Sequence, residues 1–248
     1  LAFTRDRIFI GTSGWSYAEW KTLFYSSIPQ RSWLRHYATR FGAVEVNATF
    51  YHLLRASTFE RWRDETPEGF RFAIKGNRFL THRKRLADPA VSIAKDRERA
   101  SALGEKLAVV LWQTPRSLPS DIDSLKAFLD ALASWPEARH AVEFRHERWF
   151  TDDVAVCLAA SRVAACQSDA ADWPLWDAVT TDLAYVRLHG HERTYCSAYS
   201  AQQLSAWARR VRLWRGEGRD VHVYFDNTAD GAAVRDAERL RAMLGEGP

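Results

Sequence analysis

Cysteine is scarce in this chain: Cys157, Cys166 and Cys196 are the only three in 248 residues. An odd number with no CxxC spacing supports neither a disulfide framework nor a structural zinc site, and a reducing cytoplasm is the expected setting. Long apolar runs are also missing. None approaches the ~18 residues a membrane-spanning helix needs, and the N-terminus lacks a charged-then-apolar signal pattern. No membrane partner is therefore expected. The common catalytic and phosphate-cradling signatures are absent as well: there is no GxxxxGKS or GxxxxGKT, no GxGxxG after a strand, no HExxH and no GxSxG. Nor does one sign of charge dominate. A net charge of +4 suits an anionic partner without demanding one.

What is present is a regular alternation of apolar strand-like runs and helical patterns. Ile8–Ile10 leads to a Gly-rich turn and a helical stretch around Trp33–Phe41, and Ala43–Asn47 precedes a helix near Thr58–Asp64. Phe70–Lys75 precedes a basic loop and a helix around Val91–Leu103. Leu107–Gln113 and His140–Arg145 are followed by helices at Asp121–Ser134 and Asp152–Ser161. Val163–Asp169 runs into a loop carrying Trp173, Pro174 and Trp176. Ala184–His189 and Val221–Asn227 are followed by helices at Ala201–Trp214 and Ala232–Leu244. Asp121 and Asp152 are placed to cap helix starts, and Gly216 and Gly218 to mark a stop. Eight such units in ~250 residues predict an α/β fold, a single TIM-type (β/α)8 barrel over residues 1–248, irregular around the sixth unit. Most of the eleven Trp are expected to fill its core.

Alternation along each strand puts polar and ionisable residues on one face near the C-terminal end. In chain order these are Ser13; Glu45 and Asn47; Lys75; Gln113; Glu143 and Arg145; Gln167 and Asp169; Arg187 and His189; and His222, Tyr224 and Asp226. Barrel interiors are normally filled by branched apolar side chains, and reactive sites lie at the strand C-termini. Buried charge is costly unless paired or solvated. A self-satisfied network, with Glu45 and Glu143 neutralising Lys75, Arg145 and Arg187, is the bland account.

Three chemistries fit these residue types. Glu45 and Glu143 form a general acid and base pair. Alternatively Glu143, Asp169, His189 and Asp226 hold one divalent metal, a site that nearby Arg145 and Arg187 oppose. In the third, Lys75, Arg145 and Arg187 clamp a phosphate or carboxylate with His189 as proton donor. The third uses the cations and is the working expectation, with no cofactor. Trp15 and Tyr51 fall just past strand ends and are placed to wall a pocket. The segment Asn77–Arg85 reads as a basic loop with interleaved aromatics, able to track a nucleic-acid backbone or merely to be solvated.

Several segments together resemble the YecE-like family, domain of unknown function seventy-two. They are Gly11-Thr12-Ser13-Gly14-Trp15-Ser16-Tyr17, Glu45-Val46-Asn47-Ala48-Thr49-Phe50-Tyr51, Thr81-His82, Glu143-Phe144-Arg145-His146, Arg187-Leu188-His189-Gly190 and Tyr224-Phe225-Asp226-Asn227. They run in order across nearly the whole chain. The resemblance implies a TIM-type barrel and adds Asn227 to the residues of interest. A similarity of that family to endonuclease IV-like barrels suggests nucleic-acid binding, although this chain lacks the many His ligands of a multi-zinc nuclease. Departures from the family pattern include Asp236 in place of an Asn.

The expectation is a hydrolase or lyase for a small anionic substrate. Glu143 or Glu45 serves as base, His189 as acid, and Lys75, Arg145 and Arg187 as clamp. Ser13, Trp15, Asn47, Tyr51, Gln113, Asp169, Tyr224, Asp226 and Asn227 complete the binding surface. The rivals are a non-catalytic nucleic-acid-binding protein and a metal-dependent sugar isomerase or epimerase. The substrate and the oligomeric state are not written in the sequence.

Overall fold

Runs rich in β-branched and aromatic residues form eight strands: β1 (Ile8–Thr12), β2 (Ala43–Val46), β3 (Arg71–Lys75), β4 (Leu107–Gln113), β5 (Arg139–Glu143), β6 (Val163–Asp169), β7 (Leu183–Leu188) and β8 (Asp220–Phe225). They are seen in a computed structural model that describes residues 8–245. The strands form one sheet in the order β1-β8-β7-β6-β5-β4-β3-β2, parallel between β1 and β8, β3 and β4, β4 and β5, β5 and β6, and β7 and β8. Parallel strands are covered on both faces, and every residue of β6 and β7 is buried. With helices between the strands, this is a TIM-type barrel.

The helices are α1 (Trp33–Arg40), α2 (Ala48–Tyr51), α3 (Ala56–Asp64), α4 (Pro89–Ala100), α5 (Ile122–Leu132), α6 (Asp152–Ala160), α7 (Ala201–Gly216) and α8 (Ala232–Leu244). Their starts follow from capping chemistry. The Asp121 carboxylate accepts from the amides of Asp123 and Ser124 at the head of α5, and Ser200 with Gln203 forms a capping box on α7. At α6 the cap is Thr151 rather than Asp152, because Asp152 already lies inside the helix. Gly216 closes α7, and Gly218 takes the left-handed conformation with φ +82°. No helix follows β6 before β7 begins, as the Trp- and Pro-containing stretch predicts.

Two sequence expectations change. The basic segment after β3 is not an open loop but winds into a helical turn over Phe79–Arg83. Leu80 and Thr81 are buried, and their burial anchors the turn. The expected turn at Gly11–Gly14 begins later, since β1 continues through Thr12.

By its contacts the chain forms two compact units. The first comprises the described residues up to Val44, Gln167–Leu175 and the described residues from Asp182; the second comprises Glu45–Cys166 and Trp176–Thr181. Two of the four divisions fall inside β2 and β6, and the other two lie in the stretch between β6 and β7.

Gly11 shows why a glycine sits in β1. A Cβ there would overlap the Ala43 carbonyl oxygen and stand 2.8 Å from the Tyr37 hydroxyl. That hydroxyl accepts from Thr12 N at 2.8 Å and donates to Ala43 O at 3.1 Å, and burial pushes its pKa upward. Gly11→Ala is therefore expected to cost about 3 kcal/mol by overpacking, read by urea unfolding. Gly42→Ala, whose Cβ would meet nothing, is the control. A loss at Gly11 no larger than at Gly42 would show that the backbone yields.

Candidate functional site

In the second unit β3, β4 and β5 end on Lys75, Gln113 and Glu143. Gln113 and Glu143 are register partners, so their side chains share a face. Lys75 joins them, with Nζ donating to Gln113 Oε1 at 2.8 Å. The same Nζ lies 4.2 Å from the centroid of the Phe50 ring. Arg145 donates Nε to Glu143 Oε1 at 3.1 Å; the Glu143 side chain is fully buried and that of Arg145 nearly so.

Arg78, just ahead of the helical turn, has its guanidinium carbon 5.8 Å from Phe50 and 5.7 Å from Tyr51. A ring face attracts a cation without cancelling its charge. His82 stands edge-on to Phe50 at 5.1 Å, with Nδ1 2.9 Å from Thr81 Oγ1. Burial, then Arg78, Lys75 and Arg145, push the His82 pKa down to about 4. Its imidazole is thus neutral near pH 7. Glu45 is fully buried in β2. Asn47 is half-buried at the head of α2, and Tyr51 is exposed.

The first unit has its own cluster. Arg187, fully buried in β7, donates Nη2 to Asp226 Oδ2 at 2.9 Å and to Ser13 Oγ at 3.2 Å. Its Nη1 is 3.1 Å from His189 Nε2, and His189 Nδ1 is 2.9 Å from Asp226 Oδ2, approaching off the hydrogen-bond axis. A guanidinium only donates, so Nε2 accepts and the proton of a neutral ring resides on Nδ1, beside Asp226. In this arrangement Nε2 has no proton to give. The acid role expected for His189 would require a charged ring and loss of the Arg187 contact. Trp173 and Tyr195 stand edge-on to the imidazole at 5.1 and 5.5 Å.

Other expected members have contacts of their own. Tyr224 is fully buried, its hydroxyl 2.9 Å from His222 Nδ1 and its ring 5.4 Å from Tyr185. Asn227 donates Nδ2 to Ser197 O and to Asp236 Oδ2, tying the loop after β7 to α8. Trp15 is half-buried, its carbonyl accepting from the Tyr25 hydroxyl.

The sixth strand departs from the expected alternation. Gln167 turns toward α7, where its Oε1 accepts from Arg210 Nη2 at 2.6 Å. Asp169, two residues on, pairs with His191 at 2.9 Å. Ser168, on the opposite face, accepts from Trp173 Nε1 at 3.0 Å. Where both faces of a strand are buried, a polar residue does not mark the interior. The sequence reading missed His191; it took Arg78 only as part of a basic segment, and His82 as part of that segment and of the Thr81-His82 family motif, with no role in a site. For His191 the available signal was its two-residue offset from His189.

Among the described residues no three or more His, Cys, Asp and Glu side chains are placed to hold a metal ion. No helix of these residues is long and apolar enough to cross a membrane.

The fold and its strand ends define a class: a TIM-type barrel with ionisable groups at the C-terminal ends of its strands. The family described as "Protein of unknown function DUF72" matches residues 9–248, and the chain belongs to it. UPF0759 protein YunF of Bacillus subtilis (strain 168) is 24% identical over 268 residues, covering 96% of this chain and 94% of that protein. UPF0759 protein YecE of Escherichia coli (strain K12) is 31% identical over 144 residues, 58% of this chain and 50% of that protein. Among solved structures, a DUF72 family protein of Thermotoga maritima superposes with a TM-score of 0.86 at 27% identity, covering 96% and 99% of the two chains. One from Enterococcus faecalis has a TM-score of 0.85 at 21% identity, covering 97% and 96%, and supports the fold alone.

Proposed function

We propose that this chain is a hydrolase or lyase that binds a small phosphate- or carboxylate-bearing substrate and works by general acid/base catalysis. The observation that carries this reading is the placement of Arg78 on the ring faces of Phe50 and Tyr51. Arg145 adds enough positive potential to help keep His82 neutral. The ring faces orient the Arg78 cation while leaving its charge to act on a ligand. Glu143, oriented by Arg145 Nε, is the base. Neutral His82 supplies a hydrogen-bond donor that adds no charge.

Calorimetric titration with inorganic phosphate tests the anion site. Arg78→Ala is expected to weaken binding about tenfold or more, the worth of one charged hydrogen bond. Glu143→Gln is expected to spare binding and to abolish turnover in a screen of phosphate monoesters and carboxylate esters. Unchanged phosphate affinity in Arg78→Ala would sink the reading.

The exposed Phe79 and the basic residues around it favour one rival, a non-catalytic nucleic-acid binder. Such a protein would bind single-stranded oligonucleotides with affinity falling steeply with salt, and Glu143→Gln would leave it unharmed.

A further inference from the structure

The loop after β7, in the first unit, carries a second imidazole that the reading above does not use. His191 Nδ1 lies 2.9 Å from Asp169 Oδ1, with the His191 side chain 55% exposed and that of Asp169 only 10%. A carboxylate accepts only, so the proton between them sits on Nδ1, and Nε2 of the neutral ring keeps its lone pair. Nε2 makes no hydrogen bond or ion pair with a described residue.

Asp169 is itself buried. The Tyr199 hydroxyl accepts from Gly190 N at 3.1 Å and feels the Asp169 charge. Burial, with the Asp169 charge adding, pushes its phenol pKa well above the ordinary range. Tyr199 therefore stays protonated.

The loop that bears His191 is tightly wound. Gly190 has φ +102°, where a Cβ would stand 2.6 Å from Arg193 O. Ser197 Oγ accepts from Glu192 N at 3.1 Å and from Arg193 N at 2.9 Å. Tyr195 N donates to His189 O, and Tyr199 N donates to the buried Asp236 carboxylate at 2.8 Å. An exposed histidine is thus fixed in tautomer by a buried carboxylate and in position by a pinned backbone. Surface histidines that serve only solubility need neither.

From this geometry we infer that His191 is a general base open to solvent, with Asp169 as its positioning residue, acting on a water or on a hydroxyl-bearing substrate. In the step, the O–H bond breaks, its proton passes to Nε2, and the electron pair stays on oxygen. The resulting imidazolium keeps its Nδ1–H toward the Asp169 carboxylate, which stabilises the new charge. The proposal does not depend on the anion site of the second unit.

The test needs no substrate. Carbethoxylation by diethyl pyrocarbonate at pH 8, followed per residue by peptide mass spectrometry, reads the nucleophilicity of each imidazole. His191 is expected to react about tenfold faster than the exposed His52, the scale on which carboxylate support of a histidine acts. Asp169→Asn is expected to bring His191 down to the His52 rate while leaving His52 unchanged. Equal rates for His191 and His52 in the unaltered protein would overturn the proposal, as would a rate at His191 indifferent to Asp169→Asn. Should that variant not fold, nitrogen-15 spectra of the unaltered protein decide. A proton on Nδ1 with bare Nε2 supports the assignment, and a proton on Nε2 refutes it.

Discussion

Replacing Arg187 by Met is expected to cost about 3–5 kcal/mol of folding stability, the scale for removing one partner of a buried ion pair. Arg187 is fully buried, and its guanidinium serves Asp226, Ser13 and His189 at once. Methionine fills similar space but leaves the Asp226 carboxylate, itself only 12% exposed, without its guanidinium. The Ser13 hydroxyl and His189 Nε2 lose a donor in the same step. The double variant Arg187→Met with Asp226→Leu is expected to recover a large part of the loss, because two apolar groups need no compensation. Urea unfolding of the three proteins gives the comparison. If the single variant loses less than about 1 kcal/mol, the cluster is solvated and behaves like a surface pair.

Acid is expected to destabilise this protein through His140. Its Nδ1 accepts from Trp112 Nε1 at 3.3 Å, and its Nε2 lies 3.1 Å from the Trp135 carbonyl, to which it donates. This neutral tautomer satisfies both neighbours, whereas a proton on Nδ1 would face another N–H. Burial accordingly pushes the His140 pKa from 6.5 down to about 4, partly offset by the bond to Trp135. Between those two values the unfolded chain binds one more proton than the folded one, so stability present above pH 6.5 is lost as pH falls toward 4. A span of that width is worth about 3 kcal/mol.

His82 acts in the same direction, weakened by its partial exposure. Asp96 opposes both. Burial, eased by the Asn77 amide and Arg99, raises its pKa from 3.8 to about 6. The folded state keeps that proton longer, so stability from Asp96 is present below pH 3.8 and lost as pH rises through 6. His140→Gln retains an acceptor and a donor but does not titrate. Its unfolding free energy between pH 7.5 and pH 4 should therefore fall by about 3 kcal/mol less than that of the unaltered protein. Equal falls would refute the assignment. Asp96→Asn removes the opposing contribution and should steepen the acid loss.

Much of the fold was legible because it depends on local periodicity. Leu107–Gln113, Val163–Asp169 and Ala232–Leu244 form elements with the bounds expected from their patterns. Alternation also put Lys75, Gln113 and Glu143 on one face, and likewise Arg187 and Asp226. It failed at β6, where Gln167 meets Arg210 of α7, because burial on both faces removes the polar-in, apolar-out contrast.

The sequence by itself determined the parallel barrel and the residue types at its strand ends, since backbone geometry repeats every two residues in a strand and every 3.6 in a helix. Only the tertiary structure decided the partners. Arg187 meets Asp226 across 39 positions of chain, His191 meets Asp169 across 22, and the His82 imidazole is neutral because burial and three cations surround it. Hydrogen bonds and charge effects of this kind are set by separations of a few ångströms between side chains remote in sequence, and no local pattern encodes those distances.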